Sequence, residues 1–221
     1  IGGGEFARLP AIGYGNQLRY AQRRTIAWTA KQARLVTCGT RDARFVFAPL
    51  GVDTSLFSVP SDRGRRTDDG GWEIITVSAL LPVKGLSTLI EAVRHVVDER
   101  PDARLKIIGE GPARDALTRQ RDGLGLTARV ELAGEMRHET LPAAYHSADV
   151  YVQSSLHEAQ GMAVLEAAAC GVPIVGTKVG ALADLAPDAA LSVPVGDASA
   201  LAAAMLSLLR DPARRATMGA A

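Results

Sequence analysis

Two carboxylates in this sequence stand eight residues apart, Glu158 and Glu166, in the segment Glu158-Ala159-Gln160-Gly161-Met162-Ala163-Val164-Leu165-Glu166. At about 1.5 Å of rise per helical residue the pair spans up to roughly 12 Å, the reach from a sugar ring across a diphosphate to a ribose. A carboxylate accepts hydrogen bonds from vicinal hydroxyls, two at a time. Gly161 stands between the acids, where the first turn of a helix would present free amides to a diphosphate with no side chain in the way. Glu166 falls among Leu165, Ala167 and Ala168, so burying it demands a hydrogen-bond donor close by.

Lys84 is the next group of interest. The stretch Ser78-Ala79-Leu80-Leu81-Pro82-Val83-Lys84-Gly85 leads from an apolar run into a helical pattern, which sets an ammonium near the positive end of a helix dipole. A snorkelling surface lysine is one resolution of that conflict. An anionic ligand is the other, because amides, dipole and ammonium then converge on phosphate. Gly109-Glu110-Gly111-Pro112 forms a further turn whose glycines allow close backbone approach, with Pro112 at a first helical position; alone it is an ordinary tight turn. It is not the dinucleotide fingerprint, which needs three spaced glycines and an acid about 20 positions on. No Ser-His-Asp or Cys-His arrangement is readable, and no Asp-x-Asp motif appears, so neither a cofactor nor a catalytic divalent ion is expected. Cys38 and Cys170 lie far apart without metal-ligand spacing, which makes a reducing cytoplasm the default compartment.

The elements that must position these groups follow from apolar runs alternating with helical patterns. Strands are expected over residues 73–77, 104–108, 129–132, 150–153 and 173–176. Helices are expected over 84–98, 112–124, 139–147 and 161–170, with a loop after residue 176 and a final helix from about Asp197. Continuous apolar strands separated by helices predict an α/β domain: a doubly wound parallel sheet with helices on both faces and right-handed crossovers. Ligands of such folds bind at the carboxyl ends of the strands, where all the turns named above fall. Upstream, residues 17–33 suit a helix and two short β-like runs cover 34–38 and 44–47. Residues 60–71, rich in Pro, Ser, Asp, Arg and Gly, read as a linker between an N-terminal remnant (1–59) and the α/β domain (72–221).

Composition bounds the alternatives. With 47% hydrophobic and 22% charged residues over 221 positions, the chain is globular, and no apolar run reaches the roughly 18 residues of a membrane span. Residues 1–50 carry eight lysines and arginines against Glu5 and Asp42, while the rest of the chain is slightly acidic. A solvated helix face and a surface for an anionic partner both fit that stripe. Nucleic acid is not expected, since no aromatic platform or reader motif accompanies the charge. Arginine outnumbers lysine 21 to 4, as a GC-rich bacterial coding sequence would give. A chain starting at Ile1 without a signal segment suggests an internal fragment.

The runs 77–85, 108–112 and 147–152, and above all 158–177 with Ala-Cys-Gly-Val-Pro behind the spaced acids, resemble the C-terminal donor-binding domain of retaining glycosyltransferases of family 4, which have the GT-B fold. The resemblance covers residues 44–210, and Ala48-Pro49-Leu50-Gly51-Val52-Asp53 is similar to the family's hinge segment. It implies transfer of a hexose from a nucleotide-diphosphate sugar with retention of configuration. By position, Glu158 would contact the donor sugar, Gly161, Met162 and Ala163 would hold sugar and phosphate, Lys84 would neutralise the diphosphate, and Glu166 would bind the ribose. Gly109 and Gly111 join the donor set, and Glu135-Met136-Arg137 matches the base-contacting region. The acceptor would be lipid-linked or carbohydrate, with residues 1–50 meeting the inner membrane face through Arg19, Arg23 and Arg24. Two departures stand out: Ala79 occupies the place of a phosphate-binding arginine, and Ala159-Gln160 replaces a frequent Gly-Phe. His95, His138, His146 and His157 offer no evident counterpart of the histidine that lies near the donor sugar, and the tail after Asp211-Pro212 stops before the usual crossing helix. A nucleotide-sugar-binding fragment without turnover and a sugar-nucleotide epimerase remain the alternatives.

Overall fold

The computed structural model describes residues 51–60, 71–185 and 189–220, together with the backbone of the parallel-paired strands β1 (Thr37–Cys38) and β2 (Val46–Phe47). The helix expected over 17–33, the basic stripe and residues 61–70 of the linker lie outside the described residues.

From Glu73 onward, short apolar runs become strands: β3 (Glu73–Val77), β4 (Arg104–Ile108), β5 (Val130–Gly134), β6 (Val150–Gln153), β7 (Ile174–Thr177) and β8 (Ala190–Val193). All pair in parallel, in the order β5-β4-β3-β6-β7-β8. The strand order therefore reverses between β3 and β6. The helices are α1 (Leu86–Glu99), α2 (Arg114–Gly123), α3 (Leu141–Ser147), α4 (Met162–Ala169), α5 (Leu182–Leu185), α6 (Ala198–Arg210) and α7 (Pro212–Ala220).

Alternation along each strand sends neighbouring side chains to opposite faces. Ile74, Leu105, Ile107, Val150 and Val175 pack with Leu89, Ile90 and Val93 of α1 and with Leu201, Met205 and Leu209 of α6. Ile75, Ile108, Tyr151 and Ile174 pack with Tyr145 of α3, Val164 and Ala167 of α4, Leu182 of α5 and Phe57. Both faces of the sheet are thus covered, as the continuous apolar strands predicted. No described helix is long and apolar enough to cross a membrane.

Three elements differ from expectation. The loop expected after residue 176 contains α5 and the edge strand β8. Ala190-Leu191-Ser192-Val193 carries little β-propensity of its own and forms a strand because β7 supplies a ladder from Ile174↔Ala190 to Thr177↔Val193. The helix expected from Lys84 begins two residues later: Pro82–Lys84 make a 3-10 turn, and Gly85, at φ 62°, sits at the helix start. A Cβ on Gly85 would stand 2.1 Å from the Ser154 carbonyl oxygen, so this turn is tight because another loop leans on it. The tail after Asp211 forms α7, which packs on its own domain: Met218 is buried and the Arg215 guanidinium lies 4.5 Å from the Trp72 ring. Asp197 caps α6 where a start was expected, accepting from the Ala200 amide at 2.8 Å.

Candidate functional site

At the strand reversal the ends of β3 and β6 splay apart, the position where open parallel sheets take ligands. A cavity of about 360 Å³ opens there, lined by Thr76, Val77 and Ser78 from β3 and its exit, by Tyr151 and residues 153–155 from β6, by Lys84, and by residues 158–163. Of the residues singled out in the sequence, Lys84, Glu158, Gly161, Met162 and Ala163 all line it. The Ser78 hydroxyl at its wall is buried and has no hydrogen-bond partner among the described residues.

Three loops are stitched together to hold this arrangement. The Leu156 amide donates to the Val83 carbonyl at 2.8 Å, and the Ser154 hydroxyl donates to the Lys84 carbonyl at 2.9 Å, docking the β6 exit on the 3-10 turn. The loop after β7 closes from the other side: the Ala181 amide donates to the Gln160 carbonyl at 2.6 Å, and the Thr177 hydroxyl to the Ser155 carbonyl at 2.6 Å. In that frame Lys84 Nζ meets Glu158 Oε2 at 2.5 Å, with the Ser155 hydroxyl donating to the same oxygen at 3.4 Å. Lys84 is the only cation among the described residues that line the cavity, so no arginine there takes the place that Ala79 leaves.

Gly161 precedes α4 at φ 87°, and no side chain caps the helix; Met162 and Ala163 of its first turn line the cavity, while the Val164 amide donates to the Gly161 carbonyl at 3.0 Å. A Cβ at Gly161 would stand 2.8 Å from Gln153 Oε1. About one and a half turns on, Glu166 is 7% exposed and does not line the cavity. The donor that its burial demands is present twice: the Tyr145 hydroxyl donates to Oε2 at 2.9 Å, and His138 Nε2 lies 3.0 Å from Oε1. Burial pushes the Tyr145 phenol far above its ordinary range, with the Tyr151 and Glu166 charges adding to it. Tyr151, buried between the two carboxylates and bonded to Thr76 and Val77, is raised in the same way, by burial first and by Glu158 and Glu166 next.

Gly109, Gly111 and Met136 do not reach the cavity. Gly109, at φ 136°, presses on the Ser78 carbonyl, which a Cβ would meet at 2.0 Å, and donates its amide to Gly134 at 2.8 Å. Met136 packs against the cluster around Phe57 and Tyr145. Tyr145, Tyr151, Gln153, Ser155 and the loop after β7 are not among the candidates the sequence pattern offers, and His138 has no evident counterpart in that pattern. His138 stands four residues beyond β5, at a strand's carboxyl end, and that rule alone would have marked it.

A parallel sheet in this order, with an anion-competent helix start and a lysine at its reversal, defines a doubly wound, Rossmann-like α/β domain. Within that class, the chain belongs to the family of glycosyl transferases group 1, whose model matches residues 61–221, and the domain is of the GT-B type. It is 33% identical over 192 residues to a GDP-mannose-dependent monoacylated alpha-(1-6)-phosphatidylinositol monomannoside mannosyltransferase of Corynebacterium glutamicum, covering 80% of this chain and 50% of that protein. It is 30% identical over 244 residues to a GDP-mannose-dependent alpha-(1-6)-phosphatidylinositol monomannoside mannosyltransferase of Mycolicibacterium smegmatis, covering 97% and 64%. A solved sucrose-phosphate synthase from Thermosynechococcus elongatus superposes with a TM-score of 0.81 at 26% identity, over 95% of this chain and 57% of that one. The chain spans about half to two thirds of the length of these relatives. Neither a binding-only fragment nor an epimerase is favoured by this company.

Proposed function

We propose that this chain carries the donor-binding domain of a retaining hexosyltransferase of glycosyltransferase family 4, which moves a hexose from a nucleoside-diphosphate sugar to an acceptor hydroxyl. The observation that carries the reading is the Lys84–Glu158 pair beside the uncapped start of α4, at the strand reversal. As the sugar leaves, negative charge builds on the diphosphate, and Lys84 with the first-turn amides supplies fixed positive charge at that point. Glu158 holds the ammonium at the junction of sugar and phosphate, and Glu166 receives the ribose hydroxyls. No step in this scheme calls on a cofactor. The two curated relatives are GDP-mannose-dependent, which makes a guanosine-diphosphate hexose the first donor to try and a phosphoinositide-type, lipid-linked acceptor the first acceptor. With such an acceptor the protein would work at the cytoplasmic membrane face, basic residues 1–50 toward anionic lipid.

Calorimetric titration with GDP, UDP, ADP and their hexose conjugates tests the reading. One base should bind, and Glu166→Ala should weaken it by about 1–3 kcal/mol, the worth of charge-assisted hydrogen bonds. A folded protein that binds none of them overturns it.

A further inference from the structure

We infer that His138 is a positioning residue for the nucleoside end of the site, its Nε2 pinning Glu166 so that the remaining lone pairs of that carboxylate face the vicinal diol of a ribose. The inference rests on the donor-binding reading above and adds to it a residue that neither the sequence pattern nor the family description assigns.

A carboxylate offers about four acceptor positions, and its terminal torsion is broad and roughly two-fold. One donor leaves that torsion loose. In this protein two donors act on different oxygens: the Tyr145 hydroxyl on Oε2 at 2.9 Å and His138 Nε2 on Oε1 at 3.0 Å. Together they fix the carboxylate plane and leave acceptor positions on each oxygen for a ligand. Both donors are oriented by one further ring. Phe57, 1% exposed, meets His138 edge-on at 5.0 Å and Tyr145 at 5.9 Å. With Nε2 facing a carboxylate, the neutral imidazole donates only as the Nε2–H tautomer.

The two donors differ in exposure, and that difference separates a ligand-facing role from plain burial of an acid. Tyr145 is fully buried and so serves the core. The His138 side chain is 55% exposed while that of Glu166 is 9% exposed, so the open edge of this cluster belongs to the histidine. His138 also lies in the loop that leaves the carboxyl end of β5, on the side of the sheet where the cavity opens.

The test pairs ribonucleoside diphosphates with their 2′-deoxy counterparts, using GDP, UDP and ADP against the whole protein in calorimetry. Wild type should prefer the ribonucleotide of its base. His138→Ala should weaken that ribonucleotide about 5- to 30-fold while weakening the 2′-deoxy form, which keeps one of the two hydroxyls, by several-fold less, so that the preference shrinks. His138→Gln, which keeps an N–H donor, should restore most of it, and His138→Met, which keeps bulk and loses the donor, should not. Melting curves on the same samples identify a variant that fails to fold, in which case the Gln and Met pair carries the comparison. Equal loss for ribo and deoxy ligands, or no loss, overturns the role of His138 while donor binding stands. Absence of nucleotide binding in the folded wild type overturns the donor-binding reading and this inference with it.

Discussion

Glu158 and Glu166 belong to one eight-residue pattern, yet the structure holds them by opposite means. Glu158 lies in the loop ahead of α4, with its side chain 15% exposed at the cavity, and its strongest partner is a charge, Lys84, at 2.5 Å. Glu166 lies inside the helix, 7% exposed, with the Tyr145 hydroxyl on one oxygen and the half-exposed imidazole of His138 on the other. An ion pair at a cavity wall can exchange partners when an anion arrives, because the lysine gains a second acceptor without leaving its loop. A carboxylate clamped between packed donors cannot move far, so its geometry is set before any ligand comes. The phosphate end is thus governed by charge and the nucleoside end by fixed hydrogen-bond geometry.

The sharpest way to break that contrast is at Lys84. Lys84→Ala leaves the cavity without a cation among its described lining residues and leaves Glu158 without its charged partner. Sugar transfer should fall by about 10²- to 10³-fold, the cost typical of losing one preorganised donor to developing negative charge. Single-turnover rates with the matching nucleoside-diphosphate hexose measure it. A loss below about tenfold would mean that charge at this end is supplied from elsewhere, and the two ends would no longer differ in kind.

The same contrast explains what the sequence made legible. Strand and helix order could be read because buried parallel strands are written as apolar runs, and the charge-bearing end could be read because a lysine at a helix start is a local conflict. Edge strand β8 escaped because its four residues owe their conformation to β7 rather than to their own composition. At the nucleoside end, the need for a donor near Glu166 was legible, but its identity was not. Tyr145 and His138 reach it across 21 and 28 residues of sequence, and Phe57, which orients both, is farther still. Gly109, Gly111 and Met136 fall near the right edge of the sheet, but they pack against Ser78, Leu80 and the Phe57 cluster rather than lining the cavity. Residues 61–70 of the linker and Arg19, Arg23 and Arg24 of the basic stripe lie outside the described residues.

A gain at the charged end would sharpen the comparison further. Ala79 is exposed at the exit of β3, next to the cavity-lining Ser78. Ala79→Arg should tighten binding of the nucleoside diphosphate about three- to tenfold, a charge-assisted hydrogen bond discounted for solvent exposure. Titrations at low and high salt check the cause, since an electrostatic gain shrinks as salt rises. A salt-independent gain, or none, would show that this position does not look onto the phosphates.

Tyr151 sits where the two ends meet, and it gives the smallest expected effect. Burial raises its phenol well above the ordinary value of 10.0, with the charges of Glu158 and then Glu166 adding to the shift; Tyr145 is raised too. A group whose pKa is higher in the folded chain than in the unfolded one keeps its stabilising contribution below the unfolded value and loses it as pH climbs beyond. Folding stability should therefore hold up to about pH 10 and then decline, as the unfolded chain sheds protons that the folded chain retains. Tyr151→Phe removes one of the two phenols buried among the described residues, so its decline above about pH 10 should be shallower than that of wild type, though the variant starts lower for want of the bonds to Thr76 and Val77. Urea melts from about pH 8 to 11 compare the slopes, and the exposed lysines common to both proteins cancel. Because burial outweighs either carboxylate, Glu158→Gln should leave the wild-type slope nearly unchanged. A large change would mean that the charged end reaches into the core and is not confined to the cavity wall.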